Sequence, residues 1–346
     1  MEAQKRVKNI RELADILNLS VTTVSRVLNG KSKAFRISSQ TSEKVLKAAS
    51  EMNYSANKIA RGLKLEKTET LGLIIPDVAN PFFASIAKII DIEARKNGYS
   101  LILCDSLDDI HTEKELLLLL QNRKVDGLII APVGNAFEHI EQIRDMGTPV
   151  MVVDRYFPRS TIPYVTTNNY SGACKATEYI ISQGHTRIAC IQGVKNTTPN
   201  SDRVKGYTDT LEKYHIPFVQ EYLTGEDFGI DNGYKHAMKL LVLPENKKPT
   251  AIFALSNLIS LGILKAAREL NIEIPDQLSL VSFDEQPYSA YLACPMTTVE
   301  QIREDMASMA VKGLLEMIHN QKIDSHINIL LEPRLIIRDS VKKITP

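Results

Sequence analysis

Residues 10–29 carry two short runs of apolar side chains at helical spacing with a turn between them, and no other stretch limits the local fold so tightly. Ile10, Leu13, Ala14 and Leu17 share one helix face, and Val21, Val24, Val27 and Leu28 repeat the arrangement. Asn18-Leu19-Ser20 separates the runs. Asn tolerates the left-handed backbone of a tight turn, and Ser suits the N-cap of the following helix. Ala14, four residues before Asn18, is small enough for the two helices to approach closely. The pattern predicts a helix-turn-helix. Its second helix presents Val21, Thr22, Ser25 and Arg26 outward, short groups and one planar cation that suit a DNA major groove.

Charge supports that reading. The net charge of +1 hides an asymmetry: residues 1–65 hold 13 Lys/Arg against 5 Asp/Glu, a balance of +8, so the remainder carries −7. A basic head on an acidic body implies a polyanion as the partner of the head. The chain of 346 residues, 44% hydrophobic and 24% charged, has room for two or three domains. Its polar N-terminus, MEAQKRVKN, does not read as a signal peptide, and no run reaches the ~20 apolar residues of a membrane span. Cys104, Cys174, Cys190 and Cys294 form no CxxC pair and read as buried reduced thiols. A cytoplasmic protein without a membrane anchor is expected.

Three helices fill the head, at about 9–17, 20–29 and 39–52, and a basic loop, GKSKAFRIS, joins the last two. NKIARGLKL (57–65) and the polar EKTET (66–70) read as hinge and linker. Beyond them short β-branched runs alternate with longer helical ones. LGLIIPD, SLILCD, DGLIIAP, PVMVVD, RIACIQG, TAIFAL and LSLVSFD are the expected strands. Leu116–Leu120 reads as a buried helix face. This alternation predicts parallel sheets covered by helices, and about 270 residues are enough for two such α/β lobes. The expected domains are a helix-turn-helix domain at 1–55, a hinge at 56–69 and a core at 70–343. Within the core, the first lobe takes 70–168 and 301–327, and the second takes 169–298 and 328–343.

Several motifs in a fixed order now add to this. VTTVSRVLNG, SSQTSEKVLKAASEMNY and ARGLK, followed by NPFF, DGLIIAP, VDR, SQGHTRIACIQG, DRVKGY, VSFDE and TTVEQ, resemble the lac repressor family along nearly the whole chain. The resemblance implies an α-helical DNA-binding domain and a core of two doubly wound parallel-sheet lobes like those of type I periplasmic binding proteins. By it, Val21, Thr22 and Arg26 face base edges, Arg26 being the candidate for a bidentate guanine contact. Ser20, Thr23, Ser25, Asn29 and Ser38 either hold phosphates or cap helices. In the hinge, Leu63 matches a leucine that wedges into the minor groove, unless it is merely packed on the core. Arg61 and Lys64 add phosphate contacts there, and Asn57 joins the DNA-facing set. Two departures stand out: Ala56 replaces a frequent proline, and the loop before Ser38 is a few residues longer than usual.

For the core, the resemblance implies a polar effector held between the lobes. Asn80, Phe82, Phe83, Asp154, Arg155, Arg203, Phe228, Asp284 and Gln301 match cleft positions, and Ser256-Asn257 stands where many relatives have Asn-Asp. These types suit a sugar: planar polar groups for paired hydroxyls, aromatic rings for its apolar faces. Five of them have a plain alternative. Asp284 would otherwise cap a helix, Arg155 and Arg203 would pair with surface acids, and one or both phenylalanines would be core.

His111 and His185 lack companions at metal-ligand spacing, and no GxSxG, HExxH, GxxxxGK[ST] or GxGxxG occurs. No metal, cofactor or catalytic activity is expected. The reading is a transcription regulator, a repressor that binds a palindromic double-stranded operator as a homodimer and answers to a small effector such as a sugar. A regulator governed by a protein docking on the core, or a pure ligand-binding module, are the alternatives.

Overall fold

The structure, a computed structural model, describes residues 9–28, 30–52, 67–320 and 327–344. The chain divides into two compact units, Met1–Thr68 and Glu69–Pro346.

In the first unit, α1 (Ile10–Leu17), α2 (Val21–Leu28) and α3 (Ser39–Glu51) pack through Leu13, Ala14, Leu17, Val24, Val27, Val45, Ala48 and Ala49. Helices of eight residues are marginal alone, and this shared apolar core stabilises them. Asn9 caps the start of α1, accepting from the Glu12 N–H at 3.0 Å. Asn18 ends it with φ of 56°. Its N–H donates to the Asp15 carbonyl at 3.2 Å, and the Leu19 N–H donates to Ala14 at 3.0 Å. That bond pair satisfies two terminal carbonyls through a left-handed residue. Lys44 of α3 donates to the Leu17 carbonyl at 3.3 Å.

The second unit holds two six-stranded sheets of the same design. The first contains β1 (Thr70–Ile75), β2 (Ser100–Asp105), β3 (Gly127–Ile130), β4 (Val150–Val153), β5 (Tyr164–Thr167) and β11 (Asn328–Leu331), in the order β11-β5-β4-β3-β1-β2. The second contains β6 (Ile188–Ile191), β7 (Leu223–Thr224), β8 (Ala251–Ala254), β9 (Ser279–Phe283), β10 (Thr297–Glu300) and β12 (Arg334–Ile336), in the order β12-β10-β9-β8-β6-β7. All pairings are parallel except β10 with β12.

Helices cover both faces of each sheet, as expected of strands apolar on both sides. The first lobe has α4 (Pro81–Lys96), α5 (Ile110–Asn122), α6 (Glu138–Asp145) and the late α11 (Arg303–Asn320). The second has α7 (Asn169–Ser182), α8 (Thr198–Lys213), α9 (Ile230–Leu241) and α10 (Asn257–Glu269). Four apolar clusters fill the spaces between sheet faces and helices.

Three expectations need correction. The last crossing between lobes comes later than 328: β11 pairs with β5 and extends the first sheet, and only from β12 does the chain rejoin the second. The apolar residues of β11 pack on the first core, which is why the strand stays there. The run Leu116–Leu120 splits around its helix, with Leu117 and Leu120 buried but Leu118 and Leu119 exposed. Of the four free cysteines only Cys190 is buried.

Candidate functional site

The proposed DNA-facing residues belong to the first unit. Val21 and Thr22 are exposed at the start of α2, and Thr23, Ser25 and Arg26 are half-buried. Ser20 acts as the cap of α2, its Oγ accepting from the Thr23 N–H at 3.0 Å and bonding the Thr23 hydroxyl at 2.8 Å. Ser38 repeats the motif for α3 with Thr41, at 3.1 and 2.8 Å. Both hydroxyls remain exposed while they cap. The guanidinium of Arg26 lies over the ring of Phe35, 3.8 Å from its centroid. Asn29, Asn57, Arg61, Leu63 and Lys64 fall outside the described residues.

In the second unit a cavity of about 330 Å³ lies beyond the carboxyl ends of strands from both sheets, where open α/β sheets bind ligands. Asn80, Phe82, Phe83, Asp154 and Arg155 line it from the first lobe, Arg203, Phe228, Ser256 and Asp284 from the second, and Gln301 from the crossing that follows β10. Asn257 does not line it. Ser256 caps α10, accepting from the Ile259 N–H at 3.1 Å, and the first turn then carries Leu258 to the cavity. Asn257 is buried instead, its Nδ2 3.5 Å from the Tyr288 hydroxyl. Pro76, Asp77, Asp108, Pro199, Asp227, Gly229 and Leu258 also line the cavity, and sequence reasoning missed all seven. Proximity to strand ends was the one signal that could have found the three aspartates.

Local chemistry places each group. Asn80 caps α4 by accepting from the Phe82 N–H at 3.0 Å, which fixes the NPFF turn against the cavity. Phe82 and Phe83 are both core and lining, with ring centroids 5.2 Å apart, edge to face. Phe228 occupies space left by Gly193, where a Cβ would come within 2.0 Å of its ring. The Ser256 hydroxyl donates to the Phe228 carbonyl at 3.0 Å.

Two aspartates hold equivalent places, Asp154 after β4 and Asp284 after β9. Both have left-handed backbones, with φ of 64° and 72°, a conformation that non-glycine residues adopt sparingly and that concentrates at binding sites. Their surroundings differ. Asp284 accepts from Gln301 Nε2 at 2.6 Å and sits 3.8 Å from Arg203. Gln301 in turn accepts from the Thr167 hydroxyl at 2.6 Å, so this chain of bonds reaches the first sheet. Among the described residues, the carboxylate of Asp154 accepts no hydrogen bond; its near neighbour is Arg155 Nε at 3.9 Å. Burial pushes the pKa of Asp154 up to about 6, opposed by Arg155 and Arg203 and reinforced by Asp284.

Arg203 is buried and held on several sides. Its Nε donates to Asn169 Oδ1 at 2.8 Å, its Nη1 donates to the Leu255 carbonyl at 2.6 Å, and its plane lies 3.7 Å over Phe283. Burial lowers its pKa, against the attraction of Asp284 and Asp154, but a guanidinium stays charged at neutral pH. Arg155 donates to the Pro132 carbonyl at 2.7 Å and lies 3.8 Å from Asp108. Neither arginine is a surface ion-pair partner. The lobes also meet where Thr198 donates to the Tyr156 carbonyl at 2.9 Å.

His185 is buried between Thr250 and the Lys342 carbonyl, at 2.9 and 3.0 Å, a structural role. Among the described residues no group of His, Cys, Asp or Glu is placed to hold a metal, and no helix is long and apolar enough to cross a membrane.

Comparison with known proteins extends this picture. Residues 9–57 match the family of bacterial regulatory proteins, lacI family, and residues 177–341 match a periplasmic binding protein-like domain. A ribose operon repressor from Halalkalibacterium halodurans is 34% identical over 335 residues, 96% of this chain and 97% of that protein. The regulator DegA of Bacillus subtilis is 30% identical over 97% of this chain and 98% of its own length. A structure of the lac repressor dimer bound to operator and an anti-inducer superposes with a TM-score of 0.86 at 24% identity, over 98% of this chain and all of that one. A regulator from Enterococcus faecium with bound ribose gives 0.72 at 27% identity, over 80% of this chain and 100% of that one.

Proposed function

The chain belongs to the lacI family of bacterial regulatory proteins, and we propose that it is a cytoplasmic repressor whose hold on DNA is set by an uncharged sugar in the core cavity. It acts as a homodimer on a palindromic operator, one helix-turn-helix per half-site. Val21, Thr22 and Arg26 read bases. Ser20, Thr23, Ser25, Asn29 and Ser38 position phosphates, and Asn57, Arg61, Leu63 and Lys64 act from the hinge.

The observation that carries this reading is the convergence of ten of the expected cleft residues on one cavity shared by two lobes. A ligand bridging both lobes favours one relative arrangement of them. By linkage the same free energy then alters affinity for DNA, and DNA alters affinity for the ligand.

The lining also speaks to ligand charge. Five aspartates face two arginines in the cavity, so an added phosphate or carboxylate meets net repulsion, while hydroxyls find acceptors and donors on both lobes. One relative is named a ribose operon repressor and one similar structure carries bound ribose, so pentoses are the first probes. Calorimetric titration with ribose, other neutral pentoses and hexoses, and ribose 5-phosphate tests the reading. Heat from a neutral sugar and none from the phosphate is expected. Silence across all neutral sugars, or a signal only from a protein partner, would remove the sugar from the mechanism.

A further inference from the structure

Phe35 is an exposed aromatic residue in the basic loop between α2 and α3, the loop that is longer than the family pattern. An exposed phenylalanine beside a DNA-facing helix needs a reason. The structure gives one: its ring face carries the guanidinium of Arg26 at 3.8 Å. Among the described residues, that guanidinium makes no hydrogen bond or ion pair, so the stack alone orients it while its N–H edges stay unused.

The loop is built to hold that ring. Gly30, with φ of 67°, ends α2: its N–H donates to Val27 at 3.0 Å and the Lys31 N–H donates to the Arg26 carbonyl at 2.9 Å. The next turn closes in the same manner, with Arg36 at φ of 53°, Arg36 N–H to Lys33 at 3.2 Å and Ile37 N–H to Ser32 at 2.9 Å. Ile37 then packs on the helical core. The Phe35 N–H donates to the Lys31 carbonyl at 3.2 Å, so two backbone bonds in series tie Phe35 to Arg26.

We propose that Phe35 is a positioning residue for DNA sequence recognition: it holds the Arg26 guanidinium flat, with its donor fork turned outward to a guanine edge. This rests on the proposed base contact of Arg26. A long arginine side chain loses conformational freedom when it docks, and a planar partner that fixes it beforehand reduces that loss. The ring cannot itself substitute for the contact, because it has no donor or acceptor for a base edge.

The test is a selection by the full chain from duplexes carrying two inverted half-sites with randomised bases. Arg26→Ala is expected to reduce preference at one base pair per half-site by about tenfold or more. Phe35→Ala reduces preference at that same pair by roughly threefold to tenfold and leaves the other positions alone. Phe35→Tyr restores it and Phe35→Leu does not. The slope of affinity against salt is unchanged in the Phe35 variants, because no phosphate contact is lost. Phe35 is 46% exposed, so its truncation opens no core cavity. Phe35→Leu, which keeps apolar bulk, carries the test should Phe35→Ala fail to fold. An unchanged profile in both variants, or tighter binding through an unmasked Arg26, overturns the positioning role while the Arg26→Ala result stands. A profile untouched by Arg26→Ala overturns the base contact itself, and the inference with it.

Discussion

The two lobes of the core share one strand order and place an aspartate at the same point, after the fourth strand, in the same left-handed conformation. There the likeness stops. The second lobe supplies its Asp284 with a short bond from Gln301 and a guanidinium from Arg203. The first lobe buries Asp154 with charges near it and no hydrogen bond to its carboxylate among the described residues, and its pKa rises to about 6. Equal topology therefore yields one carboxylate with a hydrogen-bonded partner and one without. The fold sets where a site lies, and side chains on the loops set what each half of it lacks.

The largest expected effect comes from removing the cation common to both halves. Arg203→Ala leaves Asp284 without its buried counter-charge, leaves Asp154 with Arg155 alone, and strips partners from Asn169 and the Leu255 carbonyl. A loss of about 3–5 kcal/mol is expected in urea unfolding of the unliganded protein. A variant as stable as the parent would mean that the cation only decorates the cavity.

Asp154→Asn should do the reverse. The folded chain keeps a proton on Asp154 up to about pH 6, whereas the unfolded chain releases it near pH 3.8. The folded state thus binds more protons across that window, and stability falls as pH rises through it, by about 3 kcal/mol at most. Asp154→Asn removes this dependence, so above pH 6 the unliganded variant is the more stable protein. Thermal unfolding of parent and variant at pH 4 and pH 7 checks the sign. An unchanged difference between the two pH values would break the contrast between the lobes.

Asp284→Asn sharpens it from the other side. It replaces a charged acceptor of Gln301 with a neutral amide, and effector affinity should weaken about 10- to 100-fold with operator affinity intact. Calorimetry and operator binding, measured on the same preparation, separate the two. Asn257→Ala is the smallest change. The side chain does not line the cavity and its Oδ1 has no hydrogen-bond partner among the described residues, so effector affinity should shift by less than about twofold. A larger loss would restore Asn257 to the site.

Much of this was readable from residue order. Period and turn chemistry placed α1, α2 and α3 to within a residue or two, because Asn18 and Ser38 do locally what their types favour. Strand-helix alternation gave both sheets. The cleft was legible mainly through motifs at strand ends, and its errors are physical. Asn257 and Leu258 differ by one step around a helix turn, which a pattern of types cannot resolve. Asp77, Asp108 and Asp227 sit on short loops, where no periodicity marks the inward direction. The exchange of β11 between lobes was missed because a four-residue strand reads the same in either sheet. The stack of Phe35 on Arg26 depends on two left-handed turns whose closure only coordinates reveal.

The lobes interlace along the chain, and this sets the order of events during synthesis. Five strands of the first sheet emerge by residue 167, yet α11, which supplies Met306, Val311, Leu314 and Ile318 to cover one of its faces, follows more than a hundred residues later. Throughout that interval a nascent chain on the ribosome carries a first sheet with one face only partly covered, by α4 without α11, and exposed apolar surface of this kind is where growing polypeptides aggregate and chaperones engage them. The half of the core that starts first is thus the half that finishes late.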